Sequence, residues 1–372
     1  MRPLILHRPE LDEGARILVV SDIHGNLPYF LGLLDKLALR PDDQLILLGD
    51  LVEKGPESLS TLRYVMHELP ARCKVYPLMG NCDFWHWWLD SDSPDFDKWI
   101  RWYLTERKTT PGRGLLAEMC REQGFALTPD YDTAALKAML RDHYAAEFDW
   151  LRRLPHIIDT PRYTFVHGGL DSGVPLEETE TNRTMKRDGF YCEGQSFDKW
   201  VIVGHTPTCL YRSDRIDATP LIDEERRIIS IDGGCVLKDD GQLNALILEK
   251  GRIATDWYDP FPTAVALDAQ AESEQSYYIH WGDNQVELLA REGDFCRIRH
   301  SRTGYEMDVP CDLLFEKEGQ LRVTDTTDYR PAVAPGDVLS IVRETARGYW
   351  VKKNGVTGWY FGAIQQETGA NP

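Results

Sequence analysis

The sequence predicts an α/β protein whose buried sheet carries functional groups along one edge, followed by a smaller all-β region. Three observations lead there. The first is Ile17-Leu18-Val19-Val20, four aliphatic residues in a row bounded by polar ones, as in a strand of a parallel or mixed sheet covered on both faces. The second is the segment just after it. Asn26 offers a helix cap, Pro28 suits a first turn, and Leu27, Phe30, Leu31, Leu34 and Leu37 keep the three-to-four spacing of an amphipathic helix. The third is repetition, because the same short apolar run emptying into a polar residue recurs down the chain.

Gln44 to Leu48 leads into Gly49-Asp50, Val75 to Met79 into Gly80-Asn81, Tyr163 to Val166 into His167-Gly168-Gly169, and Trp200 to Val203 into Gly204-His205. Arg227 to Ile231 leads in the same way into Asp232-Gly233-Gly234. Asp, His and Asn supply hard or borderline oxygen and nitrogen ligands, while glycine lets backbone approach closely at a tight turn. In open α/β sheets, ligands bind beyond the carboxyl ends of the strands. Five strand ends would then converge on one edge bearing Asp22, His24, Asp50, Asn81, His167 and His205. Taken singly, a Gly-Asp is a turn, an Asn a cap and a His a packed core residue. Taken in this order they describe a metal site.

At 372 residues the chain is long enough for a large domain plus a small one. Its formal net charge of -18 argues against duplex nucleic acid, whose phosphates need clustered Lys and Arg. An anionic substrate would have to rely on local cations, and bound metals would supply them. The stretch Met1 to His7 lacks the apolar core of a signal peptide and no run has membrane-spanning length, so no membrane association and a cytoplasmic location are the default expectation. Cys73, Cys82, Cys120, Cys192, Cys209, Cys235, Cys296 and Cys311 show no paired CxxC spacing. Most are expected to be buried, reduced thiols, with neither a zinc knuckle nor a disulfide framework.

Asp-x-His-Gly, Gly-Asp, Gly-Asn, His-Gly-Gly and Gly-His-Thr, in that order from Ile17 to Gly234, resemble the calcineurin-like metallophosphoesterase superfamily. The resemblance implies a four-layer αββα sandwich and metal-dependent phosphoester hydrolysis. By the family pattern Asp22, His24 and Asp50 would hold one divalent metal, and Asp50, Asn81, His167 and His205 a second, with Asp50 bridging. Two such ions would lower the pKa of a bridging water and clamp the phosphoryl oxygens for in-line attack, with no phosphoenzyme. Mn²⁺, or an Fe/Zn pair, suits these ligands.

Gly49-Asp50-Leu51-Val52-Glu53-Lys54-Gly55 is similar to the Gly-Asp-x-Val-Asp-Arg-Gly of the phosphoprotein phosphatase branch, with Glu53 and Lys54 in place of Asp and Arg. Lys54 keeps a cation for phosphate but lacks the bidentate fork; Glu53 would orient a donor or water. At Gly80-Asn81-Cys82-Asp83 the family has Gly-Asn-His and an acid, and that His is taken to protonate the leaving oxygen. Cys82, with an ordinary thiol pKa of roughly 8.5, is a weak replacement. Either another histidine serves, His86 being nearest, or the substrate has a better leaving group than phosphoserine. Some phosphodiesterases of the superfamily look similar in carrying Cys here, whereas Gly204-His205-Thr206-Pro207, lacking a second His, resembles the phosphatase branch. That branch also places a phosphate-binding Arg where Arg183 and Arg187 stand, and spacing does not choose between them. Asp232 would hydrogen-bond a metal-bound histidine or shape the sheet edge.

Residues 84–154 form an insertion holding Trp85, Trp87, Trp88, Trp99, Trp102 and Trp150, six of the eleven tryptophans. It reads as a helical subdomain with a private aromatic core, or as a cap over the metal edge. Ala134 to Phe148 is expected as one helix, and Gly112 with Gly114 as a mobile connection. Asp259-Pro260-Phe261-Pro262 marks a boundary, giving a catalytic domain at 1–262, a linker at 263–275 and a third region at 276–364. There the short runs Tyr277 to His280, Cys296 to His300, Val338 to Val342, Tyr349 to Lys352 and Gly358 to Phe361 alternate with turns and resemble a bacterial SH3-like barrel. Such a module binds peptides or polymers, or packs on its own enzyme. The leading functional expectation is a phosphatase acting on phosphomonoesters of protein or small molecules. A nucleotide or phosphodiester hydrolase is the alternative, and a non-catalytic metal-binding scaffold recruiting partners through the barrel is a third.

Overall fold

The computed structural model describes residues 3–12, 14–106 and 113–366. The chain forms two compact units: residues 1–207, 220–237 and 241–259 in one, residues 208–219, 238–240 and 260–372 in the other.

The first unit contains two sheets. In the five-stranded sheet, parallel strands Ile17–Val20, Gln44–Leu47 and Lys74–Pro77 lie side by side, with Leu243–Glu249 and Arg252–Tyr258 added antiparallel on the Ile17–Val20 side. In the six-stranded sheet, Tyr163–Val166, Trp200–Val203 and Ile228–Ser230 run parallel. Side-chain alternation along Ile17–Val20 explains the layering. Ile17 and Val19 join Ile46, Leu48, Phe165, Ile202 and Ile229 in the core between the sheets. Leu18 and Val20 point the other way, into a cluster with Leu45, Phe30, Leu33 and Leu34. All four are buried, as a doubly covered strand requires. Helix Leu27–Lys36 is capped as its sequence demands, with the Asn26 side chain accepting from the Tyr29 N–H. The fourth layer is thin, however. Leu170 and Phe190 cover the far side of the second sheet from loops and from short turns such as Phe190–Cys192, where the family pattern implied helices.

Residues 84–154 hold helices Trp85–Leu89, Pro94–Thr105, Leu115–Glu122, Thr133–His143 and Ala145–Arg152. The single helix expected over Ala134 to Phe148 is broken at Tyr144, whose φ of -128° and ψ of 25° are not helical. A private core is not what forms. Trp85, Trp88, Ile100, Leu116, Met119, Leu136, Leu140 and Phe148 belong to the same cluster as Leu18, Leu45 and Phe30. Polar clamps reinforce this: the Glu118 carboxylate accepts from Ser58 N–H at 2.9 Å and Leu59 N–H at 2.8 Å, capping helix Ser58–Arg63 from outside it. Of the two glycines expected to connect mobile segments, Gly112 lies outside the described residues, and Gly114 immediately precedes helix Leu115–Glu122.

The second unit is all-β. Thr263–Ala266 pairs with Val338–Thr345 and Ile364–Gln366, so the expected linker at 263–275 begins as a strand. Gly348–Lys353, Val356–Tyr360 and Ile216–Asp217 complete that sheet. The last of these comes from the excursion 208–219, so the unit is not one contiguous stretch of chain. Val286–Glu292, Phe295–His300 and Glu306–Pro310 form a separate antiparallel sheet. A disulfide joins Cys296 to Cys311, while Cys73, Cys82, Cys120, Cys209 and Cys235 are buried free thiols, as expected of most of the cysteines. Cys296 and Cys311 lie 15 positions apart in sequence, and only strand pairing brings them together. Among the described residues no helix is long and apolar enough to cross a membrane.

Candidate metal centre

The ends of the parallel strands bring Asp22, His24, Asp50, Asn81, His167 and His205 together at one edge of the first unit. Four of them adopt a left-handed backbone: φ is 57° at Asp22, 52° at His24, 51° at Asp50 and 68° at His205. Each such conformation costs about 1–3 kcal/mol outside glycine and persists where surrounding structure dictates it. Here a backbone lattice does so. His24 N–H donates to Asp50 C=O at 2.8 Å, Gly25 N–H to Leu51 C=O at 2.8 Å, and Asp22 N–H to Gly49 C=O at 3.1 Å. Gly80 allows a close backbone approach, since a Cβ there would lie 2.1 Å from the Asp50 nitrogen. Asp83, in the same turn, accepts from Leu51 N–H and Gly80 N–H and ties the two loops together.

The side chains are oriented as well as gathered. His167 Nδ1 lies 2.8 Å from Leu48 C=O, which can only accept, so Nδ1 carries the proton and Nε2 keeps its lone pair. That Nε2 is 3.4 Å from Asp50 Oδ1 and 3.4 Å from Asn81 Oδ1. His24 Nε2 is 3.7 Å from both Asp22 Oδ1 and Asp50 Oδ2. These separations are at or beyond the limit of a hydrogen bond, yet they suit donors around an ion, since ligand atoms about 2.0–2.2 Å from one ion sit roughly 3–3.6 Å apart. Asp22 Oδ1 is buried and without a hydrogen-bond partner, whereas Oδ2 accepts from Ser21 Oγ and from His205 N–H. An orphaned carboxylate oxygen in a buried cluster of oxygen and nitrogen donors fits a divalent cation. Asp22, Asp50 and His167 form one close group, and His24, Asp50 and Cys82 another, so the Cys82 thiol sits within the site. His205 stands beside His167, ring centres 5.3 Å apart, with Nε2 2.7 Å from Asp188 Oδ1.

Charge coupling follows the geometry. Burial works against ionised Asp50, but His167 and His24 outweigh it and hold its pKa below the ordinary carboxylate value. Burial likewise works against His167 as a cation, and the carboxylates of Asp50, Asp22 and Asp83 raise its pKa nonetheless. A bound cation would sit among these same charged groups. Adding Mn²⁺ to chelator-treated protein is expected to raise Tm by roughly 5–10 °C, the shift for one site at a hundredfold excess over Kd in a domain of this size. An unchanged melting curve would contradict the fit.

Other residues lie differently from expectation. The Glu53 carboxylate turns toward the helical insertion, accepting from Leu115 N–H at 2.8 Å and from the Tyr103 hydroxyl. Gly114 makes room for it, since a Cβ there would lie 2.4 Å from Glu53 Oε2. Lys54 is half-buried, and its charge acts on both Cys82 and Glu53. Arg187 is buried and held by Asp171, Glu193 and Leu170 C=O, so its guanidinium is already spoken for. Arg183 also pairs with Asp171, at 3.2 Å, but its side chain is 45% exposed. His86 is buried, its ring 5.6 Å from that of Trp87. Asp232 accepts from Gly234 N–H and shapes the turn at the sheet edge. Ser21, Tyr103 and Asp188 carry no motif, and only folding shows their part.

Burial pushes the Glu53 carboxyl up to about 7, against the lowering by Tyr103, Leu115 N–H and Lys54. A carboxyl raised on folding supports the fold below its unfolded pKa of 4.5 and withdraws that support as pH rises to about 7. Glu53→Gln, which stays neutral, is expected to gain up to roughly 3 kcal/mol over the natural chain between about pH 5 and pH 8 in chelator-treated protein. Paired melting curves at the two pH values check this, and a difference independent of pH would refute it.

A doubly covered α/β sandwich with a carboxylate–histidine cluster at its strand ends defines a metal-dependent hydrolase fold. The chain belongs to the calcineurin-like phosphoesterases, a family it matches over residues 15–221, more than half its length, and it is a phosphoric ester hydrolase. It is 26% identical over 277 residues to a symmetrical bis(5'-nucleosyl)-tetraphosphatase of Shewanella frigidimarina, covering 63% of this chain and 96% of that one. An asymmetrical bis(5'-nucleosyl)-tetraphosphatase of a Geobacillus species is 27% identical, covering 59% and 86%. Among solved structures, a cold-active protein-tyrosine phosphatase of a Shewanella species aligns with a TM-score of 0.43 at 15% identity, over 69% of this chain and 83% of that one.

Proposed function

We propose that this chain hydrolyses phosphoanhydride bonds of nucleoside polyphosphates with the aid of two divalent cations. The observation that carries this reading is at position 82. The Cys82 thiol is buried, with its N–H on Asp50 Oδ1 at 2.7 Å, and burial followed by the Asp50 charge pushes its pKa well above the ordinary value. Such a group gives up a proton poorly, and an alkoxide leaving group needs one far more than a phosphate leaving group does. The similarity to two tetraphosphatases supports the same substrate class.

Asp22, His24, Asp50, Asn81, His167 and His205 would hold the cations, which neutralise phosphate charge and make water a nucleophile at neutral pH. Around them, Leu48 C=O would fix His167 in the metal-binding tautomer, Asp188 would orient His205, and Lys54 and Arg183 would draw the polyphosphate in. Mn²⁺ is our choice for the activating ion.

A second reading, phosphomonoester hydrolysis as in the phosphoprotein phosphatase branch, is favoured by Gly204-His205-Thr206-Pro207 and by Lys54 where that branch has an Arg. Rates on diadenosine tetraphosphate, p-nitrophenyl phosphate, its bis-ester and a phosphoserine peptide with Mn²⁺ separate the two. Phosphopeptide turnover equal to that of the aryl ester would overturn the inference from Cys82. No turnover of any of them at full metal occupancy would point to a scaffold. For the C-terminal unit we keep the SH3-like reading, on its short antiparallel strands and polar turns, with a peptide or polymer as ligand.

A further inference from the structure

We propose that Trp99, backed by Phe84 and Tyr103, is a stacking platform for the base of the nucleotide whose phosphates occupy the metal centre. This rests on the anhydride reading above and deepens it. Trp99 is surrounded by rings: Tyr103 at 5.4 Å, Phe96 at 6.0 Å, Phe84 at 6.1 Å and Trp85 at 6.4 Å between centres. Trp85 is 1% exposed and closes the bottom of the stack, while Trp99 keeps 40% of its surface in solvent. An indole so well packed and still so open is a rigid, preformed apolar face, and every nucleobase can stack on such a face.

The platform is joined to the metal edge at two points. Phe84 follows Asn81 by three residues, so it lies within roughly 10 Å of chain from that candidate ligand. Tyr103, on the same helix as Trp99, is bonded to Glu53, which follows Asp50 by three residues. The two loops carrying the phosphate-binding groups thus also fix the two sides of the stack. A nucleotide carries an apolar ring at one end and charged oxygens at the other. Packing alone does not require this arrangement, because Trp85 and Trp88 already fill the core beneath and are buried.

The experiment uses the full chain loaded with Mn²⁺ and two anhydrides, diadenosine tetraphosphate and inorganic tripolyphosphate, which has no base. For Trp99→Ala the ratio of kcat/KM for the nucleotide to that for tripolyphosphate is expected to fall by on the order of tenfold to a hundredfold, the range for losing one base–aromatic stack. Trp99→Phe should restore most of it. Trp102→Ala, on the same helix and likewise exposed, should leave the ratio where it was. An unchanged ratio in Trp99→Ala overturns the platform and leaves the anhydride reading intact. Should neither anhydride be turned over, the anhydride reading fails and the platform is judged by calorimetric titration with AMP. Weaker AMP binding in Trp99→Ala then upholds it, and equal binding overturns it.

Discussion

Asp50→Ala is expected to lower kcat/KM on any substrate by on the order of 10³-fold or more, which is about 4 kcal/mol of transition-state stabilisation. Asp50 is the one residue common to both close donor groups, with His24 and Cys82 on one side and with Asp22 and His167 on the other. Its Oδ1 also accepts from Cys82 N–H, which orders the Gly80–Asp83 turn. Alanine removes a charge that His167 and His24 are arranged around, and with it the carboxylate that would join two cations in the proposed centre. Metal content by elemental analysis should fall in parallel with activity, while the far-ultraviolet circular dichroism stays that of the natural chain. A variant that retains the natural chain's metal content and more than about a tenth of the activity would show that Asp50 does not hold the centre together.

The second large effect concerns the leaving group. Cys82→His is expected to speed hydrolysis of a phosphoserine peptide by on the order of 10²-fold, the lower range for a positioned general acid, and to change p-nitrophenyl phosphate by less than about tenfold. Nitrophenolate departs without a proton; the serine alkoxide does not. An imidazole with a pKa of roughly 6.5 would supply that proton where the buried thiol cannot. Position 82 is only 7% exposed, so Cys82→Ser, close in size, is the control and should alter neither rate appreciably. Equal changes on the two esters in Cys82→His would mean that protonation of the leaving group is not what position 82 limits.

Much of the edge was legible because its signals are local. A run of aliphatics followed by Gly-Asp or Gly-His reads as a buried strand ending in a tight turn, whatever surrounds it, and the Asn26 cap and Pro28 mark a helix start in the same way. What was not legible depends on partners distant in the chain. Arg187 looked free for phosphate until Asp171, Glu193 and Leu170 C=O were found around it. Glu53 looked like a group facing the reaction until its carboxylate was found bonded to Leu115 N–H and Tyr103. The tryptophans of the insertion read as one class, yet Trp85 and Trp88 are buried, Trp87 and Trp150 half-buried, and Trp99 and Trp102 exposed.

By itself the sequence determined the α/β class, the strand ends that bear Asp22, Asp50, Asn81, His167 and His205, and the departure at Cys82, because strand burial and turn chemistry are set by neighbours one to four residues away. Tertiary structure alone decided the direction each side chain takes, the merging of the insertion with the main core, and the Cys296–Cys311 link. Those outcomes depend on which surfaces meet after the strands have paired, and a linear pattern holds no record of the competition among them.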